Sequence, residues 1–224
     1  MLIMDKIIIH TYPGRLWYVK DFLIPSLIAQ GAKNIVIAND KYHIGNLLSF
    51  VMSLDNCGDA WHLQDDVIIC SDFVQRIQKL SGLCCGFYAG AFDRGNKHEG
   101  KNIPQNMWFS FPCIRIPGEI AQAFYNWFFS DEDKDKNTRR GFQIMIDSGK
   151  MDDLIFMEYL REYYPDMDIF NIKPNLVDHI DYLIGGSVAN SQRAGKACST
   201  YFEEPEKVRE LEQRLSIYRT AKGG

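Results

Sequence analysis

Two hydrophobic periods alternate along the first third of the chain. Residues 6–10, Lys-Ile-Ile-Ile-His, form a short β-branched run that Thr11-Tyr12-Pro13-Gly14 stops, which predicts a buried strand and a turn. Leu16, Trp17, Val19, Phe22, Leu23, Leu27 and Ile28 then recur at helical spacing up to Gly31. Pro25 predicts a kink or break inside that helix. Residues 34–38 read as a second strand ending at Asn39-Asp40, and residues 45–54 as a second helix. A third strand at 60–63 runs into Gln64-Asp65-Asp66 and on to Val67-Ile68-Ile69. Strand, helix, strand, helix, strand with short links is the signature of an α/β protein whose mostly parallel open sheet is covered by helices on both faces.

The remainder is less regular. Residues 82–92 predict a strand, and residues 109–116 a further one that Pro112 confines to an edge or a bulge. Helical spacing returns at 118–130 and 152–163, followed by a short strand at 168–172. After Lys173-Pro174 the chain reads as irregular and glycine-bearing to about 202, and residues 204–218 as a charged terminal helix. Residues 93–107 and 131–140 are polar, charge-rich loops. With no repeat and no internal boundary, residues 1–203 make one domain and residues 204–224 a terminal helix and tail.

Composition narrows the function. The 224 residues include 14 Phe, 11 Tyr and 4 Trp, enough apolar area to offset chain entropy and to exclude a mainly disordered chain. The 25 basic and 29 acidic residues leave a net charge of −4, against a globally basic nucleic-acid binder. Cysteines at 57, 70, 84, 85, 113 and 198 form no CxxC pair and no zinc-ligand spacing, which points to a reducing, cytoplasmic setting. The opening MLIMDKIIIH carries an acid and is too short for a secretion signal or a membrane span.

In open parallel sheets ligands bind beyond the carboxyl ends of the strands. The loops after the first three strands carry Arg15, Asp40 and Asp65-Asp66, which places all three on one rim. Two acids directly after a buried strand are costly unless they meet a cation or hydrogen-bond donors. Two hard oxygen donors suit Mg²⁺ or Mn²⁺ bridging to a diphosphate, although the doublet taken alone reads more simply as a turn cap. Asp152-Asp153 opens a helix. One of the two fits an N-cap, and the other is placed to act as a general base. His179 can add a nitrogen ligand to an oxygen-rich metal site, or simply hydrogen-bond within a loop. Gly185-Gly186-Ser187 offers unobstructed backbone donors to a phosphate, with Arg193 and Lys196 just beyond.

Taken in order, these stretches resemble a GT-A-fold glycosyltransferase, like the small bacterial and phage enzymes of the family-25 or family-2 kind, from about residue 6 to about residue 202. In those enzymes a strand ends in Glu-Asp-Asp or Asp-x-Asp, matched here by Gln64-Asp65-Asp66 with an amide in place of the first acid. The resemblance implies that Asp66, with Asp65 and Gln64 beside it, holds the divalent ion on a sugar nucleotide's diphosphate. It further implies Thr11, Arg15 and Asp40 around the nucleotide and His179, in Pro174-Asn175-Leu176-Val177-Asp178-His179, as a metal or phosphate ligand. Asp153, or its neighbour Asp152, would be the base of an inverting displacement.

The expected donor is a nucleoside-diphosphate sugar, a UDP-sugar by preference. The acceptor is open: a glycan, a protein, or a hydroxymethylated base of phage-type DNA. Arg94, Lys97, Lys101, Arg139 and Arg140 in the two polar loops permit an anionic one. A nucleotidyltransferase is the main rival, though such enzymes carry a glycine-rich basic signature where this chain has Thr11-Tyr12-Pro13-Gly14-Arg15. A non-catalytic sugar-nucleotide-binding protein is the other.

Overall fold

The computed structural model describes residues 5–39, 47–87, 102–103, 112–130, 152–167, 169–185 and 202–222. The strands are β1 (Lys6–Thr11), β2 (Ile35–Asn39), β3 (Ala60–Gln64), β4 (Val67–Ile69), β5 (Cys84–Cys85), β6 (Asn102–Ile103), β7 (Cys113–Ile116), β8 (Ile169–Asn171) and β9 (Val177–His179). The helices are α1 (Leu16–Tyr18), α2 (Ile24–Ala29), α3 (Leu47–Ser53), α4 (Phe73–Ile77), α5 (Gly118–Phe129), α6 (Asp152–Tyr163), α7 (Asp181–Ile184) and α8 (Pro205–Lys222).

Seven strands build one sheet in the order β2-β1-β3-β7-β5-β8-β6. β1 runs parallel to β2 and β3, and β5 parallel to β8. β7 is antiparallel to both β3 and β5, and β6 to β8. β1, β2, β3, β5 and β8 therefore point one way and only β7 and β6 are reversed, so the sheet is mixed but mostly parallel. Of the two placements expected for the Pro112 strand, an edge or a bulge, the edge is overturned. β7 lies mid-sheet, and Pro112 stands one residue before it, where no ladder amide is required. The Pro112 carbonyl there accepts the Gln64 N–H at 3.1 Å.

The two-residue period of the strands divides the core. Ile7, Ile9, Trp61, Leu63, Cys84 and Cys113 face Val19, Leu23 and Leu27 on one side. Ile8, Ala60, Cys85, Ile114 and Ile116 face Phe50, Val51 and the apolar sides of α5 and α6 on the other. The adjacent Cys84 and Cys85 thus point to opposite faces. The chain leaves β1 through the helices before β2 on the first face, then returns across β1 to β3 through α3 on the second. Right-handed crossovers that run in opposite directions need opposite faces, and the reversal at β1 opens a crevice beyond the strand ends.

The break predicted at Pro25 takes a defined form. Between α1 and α2 lies a π-helical turn, Val19–Leu23, in which the Ile24 N–H bonds the Val19 carbonyl five residues back. Pro25 has no N–H to continue the ladder, and the wider turn absorbs the interruption just ahead of it. The segment after Pro174 is more ordered than its sequence suggests, because β9 and α7 lie within it. Helix α8 packs on the first-face core through Leu211 and Leu215. Its Tyr218 stacks on Trp17 at 5.2 Å and donates to Asp21 Oδ2 at 2.6 Å. Among the described residues no helix is long and apolar enough to cross a membrane.

Two buried histidines share the second face. His10 and His62 stack with ring centroids 5.2 Å apart, and His10 Nε2 lies 3.0 Å from His62 Nδ1. Burial lowers the pKa of His10 to about 4. Burial, then the nearby His10 and Lys6, lowers that of His62 well below the usual value. The unfolded chain therefore takes up protons near pH 6.5 that the folded pair refuses, and stability falls as pH drops from there toward 4. Each histidine contributes a loss of about 1.4 kcal/mol per pH unit within that window. Urea midpoints of wild type and His62→Phe at pH 7.5 and 5.0 check this. The variant is expected to lose less than wild type on acidification, and an equal loss would refute the assignment.

Candidate active site

Register brings the ends of the first three strands together: Thr11 pairs with Asn39, and His10 with Gln64. From Thr11 the chain turns tightly, with the Arg15 N–H bonding the Tyr12 carbonyl at 3.0 Å. Gly14 leaves room in that turn for the Tyr12 ring, which a Cβ there would approach to 2.5 Å. The turn delivers Arg15 to the rim, buried at 5% exposure, with its guanidinium 5.6 Å from the centre of the Tyr12 ring.

Asp65 and Asp66 form the turn between β3 and β4, and both are buried. Arg15 Nη1 donates to Asp65 Oδ1 at 2.9 Å and to Asp66 Oδ2 at 2.6 Å. A separate antiparallel ribbon of β4 and β9 sets Val67 opposite His179, and the Ile180 N–H bonds the Asp66 carbonyl at 2.8 Å. This ribbon places His179 Nε2 3.1 Å from Asp66 Oδ2, with Nδ1 3.5 Å from Asp181 Oδ1. Arg15 Nε donates to the Gly185 carbonyl at 2.9 Å, at the end of α7. Gly185 has φ +76°, a conformation that favours glycine.

Burial opposes ionisation of Asp66, but His179 and then Arg15 outweigh it and hold the carboxyl well below the ordinary range. Asp65 goes the other way, pushed up to about 6 by burial and by the charge of Asp66, against the opposing pull of Arg15.

Several sequence-predicted residues thus converge: Thr11, Arg15, Gln64, Asp65, Asp66, His179 and Gly185 lie at or beside one rim. The reading of His179 as a loop residue is corrected, since it closes β9. Asp181 and Tyr12 were missed; the signal for Asp181 was an acid two residues after His179 at the start of a helix. Asp40, Gly186 and Arg193 lie outside the described residues, as do the five cations of the polar loops and the side chains of Asp152 and Asp153. The backbone places the latter pair in part. β8 is parallel to β3, and α6 joins it through a short link at its amino end. The 12-residue helix, about 18 Å long, packs on the sheet and so begins toward the carboxyl rim.

The donor set can be matched to a divalent ion. Asp65 Oδ2 and Asp66 Oδ1 are buried and make no well-formed hydrogen bond among the described residues, although the Thr11 hydroxyl stands close enough to Asp65 to favour its ionised form. One spare hard oxygen on each of two adjacent carboxylates fits Mg²⁺ or Mn²⁺, which take one or two carboxylates and fill the remaining positions from substrate phosphates and water. His179 is engaged with Asp66 and Asp181 in this arrangement and steadies the carboxylate. Among the described residues, the trio of possible ligands whose donor atoms lie within 4.8 Å of one another is elsewhere, at Cys70, Asp72 and Glu204. There Glu204 accepts the N–H and hydroxyl of Ser71, which ties the start of α8 to the turn before α4.

No protein-family model matches the sequence, and no curated protein matches it. Among solved structures the chain is similar to the CTP:phosphocholine cytidylyltransferase from Streptococcus pneumoniae, with a TM-score of 0.46 and 13% identity over 95% of this chain and 100% of that one.

Proposed function

We propose that the chain is a glycosyltransferase that moves a sugar from a nucleoside-diphosphate donor, a UDP-sugar by preference, to an acceptor hydroxyl with the help of Mn²⁺ or Mg²⁺. The observation that carries the reading is the convergence of Arg15, Asp65, Asp66 and His179 at the carboxyl rim where the sheet reverses direction. These residues come from three separate stretches of sequence.

In this reading Asp65 and Asp66 hold the ion through their spare oxygens, and Thr11 and Asp40 line the nucleotide. When bound, the ion would supply Lewis-acid stabilisation of charge on the departing diphosphate. Arg15 adds a positive charge on the same side, and the backbone of Gly185-Gly186 adds donors. His179 keeps Asp66 ionised and oriented. Asp153, at the rim end of α6, accepts the proton of the acceptor hydroxyl as it attacks the anomeric carbon. Inversion follows from that single displacement. A glycan, a protein or a hydroxymethylated DNA base all present a suitable hydroxyl.

A panel of sugar nucleotides with Mn²⁺, read by thermal shift and by the product released, tests the proposal. A Mn²⁺-dependent rise in midpoint with one sugar nucleotide, together with release of its nucleoside diphosphate, is the expected result. Release of pyrophosphate from a nucleoside triphosphate would instead make the chain a nucleotidyltransferase. Binding of a sugar nucleotide without turnover on any acceptor class would make it a binding protein.

A further inference from the structure

We propose that Arg15 is a displaceable internal cation, standing where charge must be neutralised while the site is empty and obliging the divalent ion and the diphosphate to bind together. The inference rests on the donor reading above and adds to it an order of events. One guanidinium nitrogen, Nη1, bridges both carboxylates at 2.9 and 2.6 Å. A divalent ion that arrives alone meets carboxylates whose charge the hydrogen-bonded guanidinium already offsets, and like charges in a buried site repel strongly. A diphosphate that arrives alone meets two buried carboxylates. Each partner removes the obstacle to the other: the ion takes the carboxylates, and the diphosphate takes the guanidinium.

Three further details favour transfer over a fixed structural bridge. Arg15 Nη2 is buried yet makes no hydrogen bond among the described residues, so half of its fork is held in reserve. The planar fork suits bidentate contact with phosphate, which a carboxylate bridge through Nη1 alone does not exploit. The spare oxygens Asp65 Oδ2 and Asp66 Oδ1 supply the matching vacancy on the acidic side. Because Arg15 Nε also bonds the Gly185 carbonyl, departure of the guanidinium frees the end of α7 as the donor arrives. The coupling is reciprocal: the ion raises affinity for diphosphate by the same factor as diphosphate raises affinity for the ion.

The test compares wild type, Arg15→Gln and Arg15→Lys in two binding measurements. Mn²⁺ alone is titrated by electron paramagnetic resonance. Preformed complexes of Mn²⁺ with UDP, GDP, CDP and ADP are titrated by calorimetry. Arg15→Gln is expected to bind Mn²⁺ alone at least tenfold tighter than wild type and the preferred preformed complex at least tenfold weaker. Arg15→Lys, which keeps a charge but loses the fork, is expected to shift both in the same directions by less, and it decides the matter if the glutamine variant does not fold. Damage to a merely structural residue weakens both. Weakening of both, or unchanged affinity for Mn²⁺ alone, overturns the inference. Failure of wild type to bind any preformed complex overturns the donor reading itself, and this inference with it.

Discussion

On the proposed glycosyl-transfer reading, with an ion held at Asp66, Asp66→Asn is expected to slow turnover about a thousandfold while the protein stays folded. The amide keeps the shape of the carboxyl and can still accept from Arg15, so the turn between β3 and β4 has little reason to rearrange. What disappears is the negative charge that His179 and Arg15 hold in place. Loss of the ion's charge stabilisation is worth several kcal/mol, and about 4 kcal/mol corresponds to a thousandfold in rate. Arg15 retains Asp65 and the Gly185 carbonyl as partners, which limits the cost to stability. Donor-consumption rates and thermal midpoints of the two proteins side by side settle it. Turnover within tenfold of wild type would exclude Asp66 from ion binding.

Phe124→Ala is expected to produce the largest loss of stability. Phe124 is fully buried in the second-face core, where its ring centroid lies 5.0 Å from those of Phe156 and Tyr159, 5.5 Å from Trp127 and 6.3 Å from Phe50. One side chain thus joins α3, α5 and α6. Truncating a buried Phe to Ala costs about 3–5 kcal/mol, and in a domain of this size each kcal/mol moves the midpoint by about 2–4 °C. A fall of about 6–20 °C in calorimetric midpoint is the expected outcome. A loss below about 1 kcal/mol would show that the cluster repacks.

How far the sequence could be read depended on how local each signal was. β1, β2, β3, α5 and α6 were legible because their apolar periodicity lies within the element itself, and α6 matches its predicted span of 152–163. β7 was assigned to an edge or a bulge, and the edge fails because a strand's neighbours are decided by distant pairing; the Pro112 signal applies to the residue before the strand. β9 and α7 were missed because three- and four-residue elements carry too few positions for a period. The site shows the same division. That Arg15 and Asp65-Asp66 share a rim follows from strand order and loop position. That one nitrogen of Arg15 bridges both acids, and that His179 comes from 113 positions further on to meet Asp66, depends on the β4–β9 ribbon and could not be read locally.

The five cysteines of the described core bear on how the protein ages. All are buried, and burial pushes Cys84 up to about 11 and Cys70 and Cys85 up to about 12, with Cys57 and Cys113 raised as well. Only the thiolate reacts, so in the native protein these sulfurs are nearly inert to oxidants and alkylating agents. Cys84 and Cys113 sit on one face of the sheet and Cys57 and Cys85 on the other. Any excursion that opens either layer therefore exposes a thiol to capture, and an adduct at such a site leaves no room for the layer to close. Refolding after even a partial opening is then forfeited, so the chain's lifetime under oxidising conditions is set by how often the sheet parts from its helices.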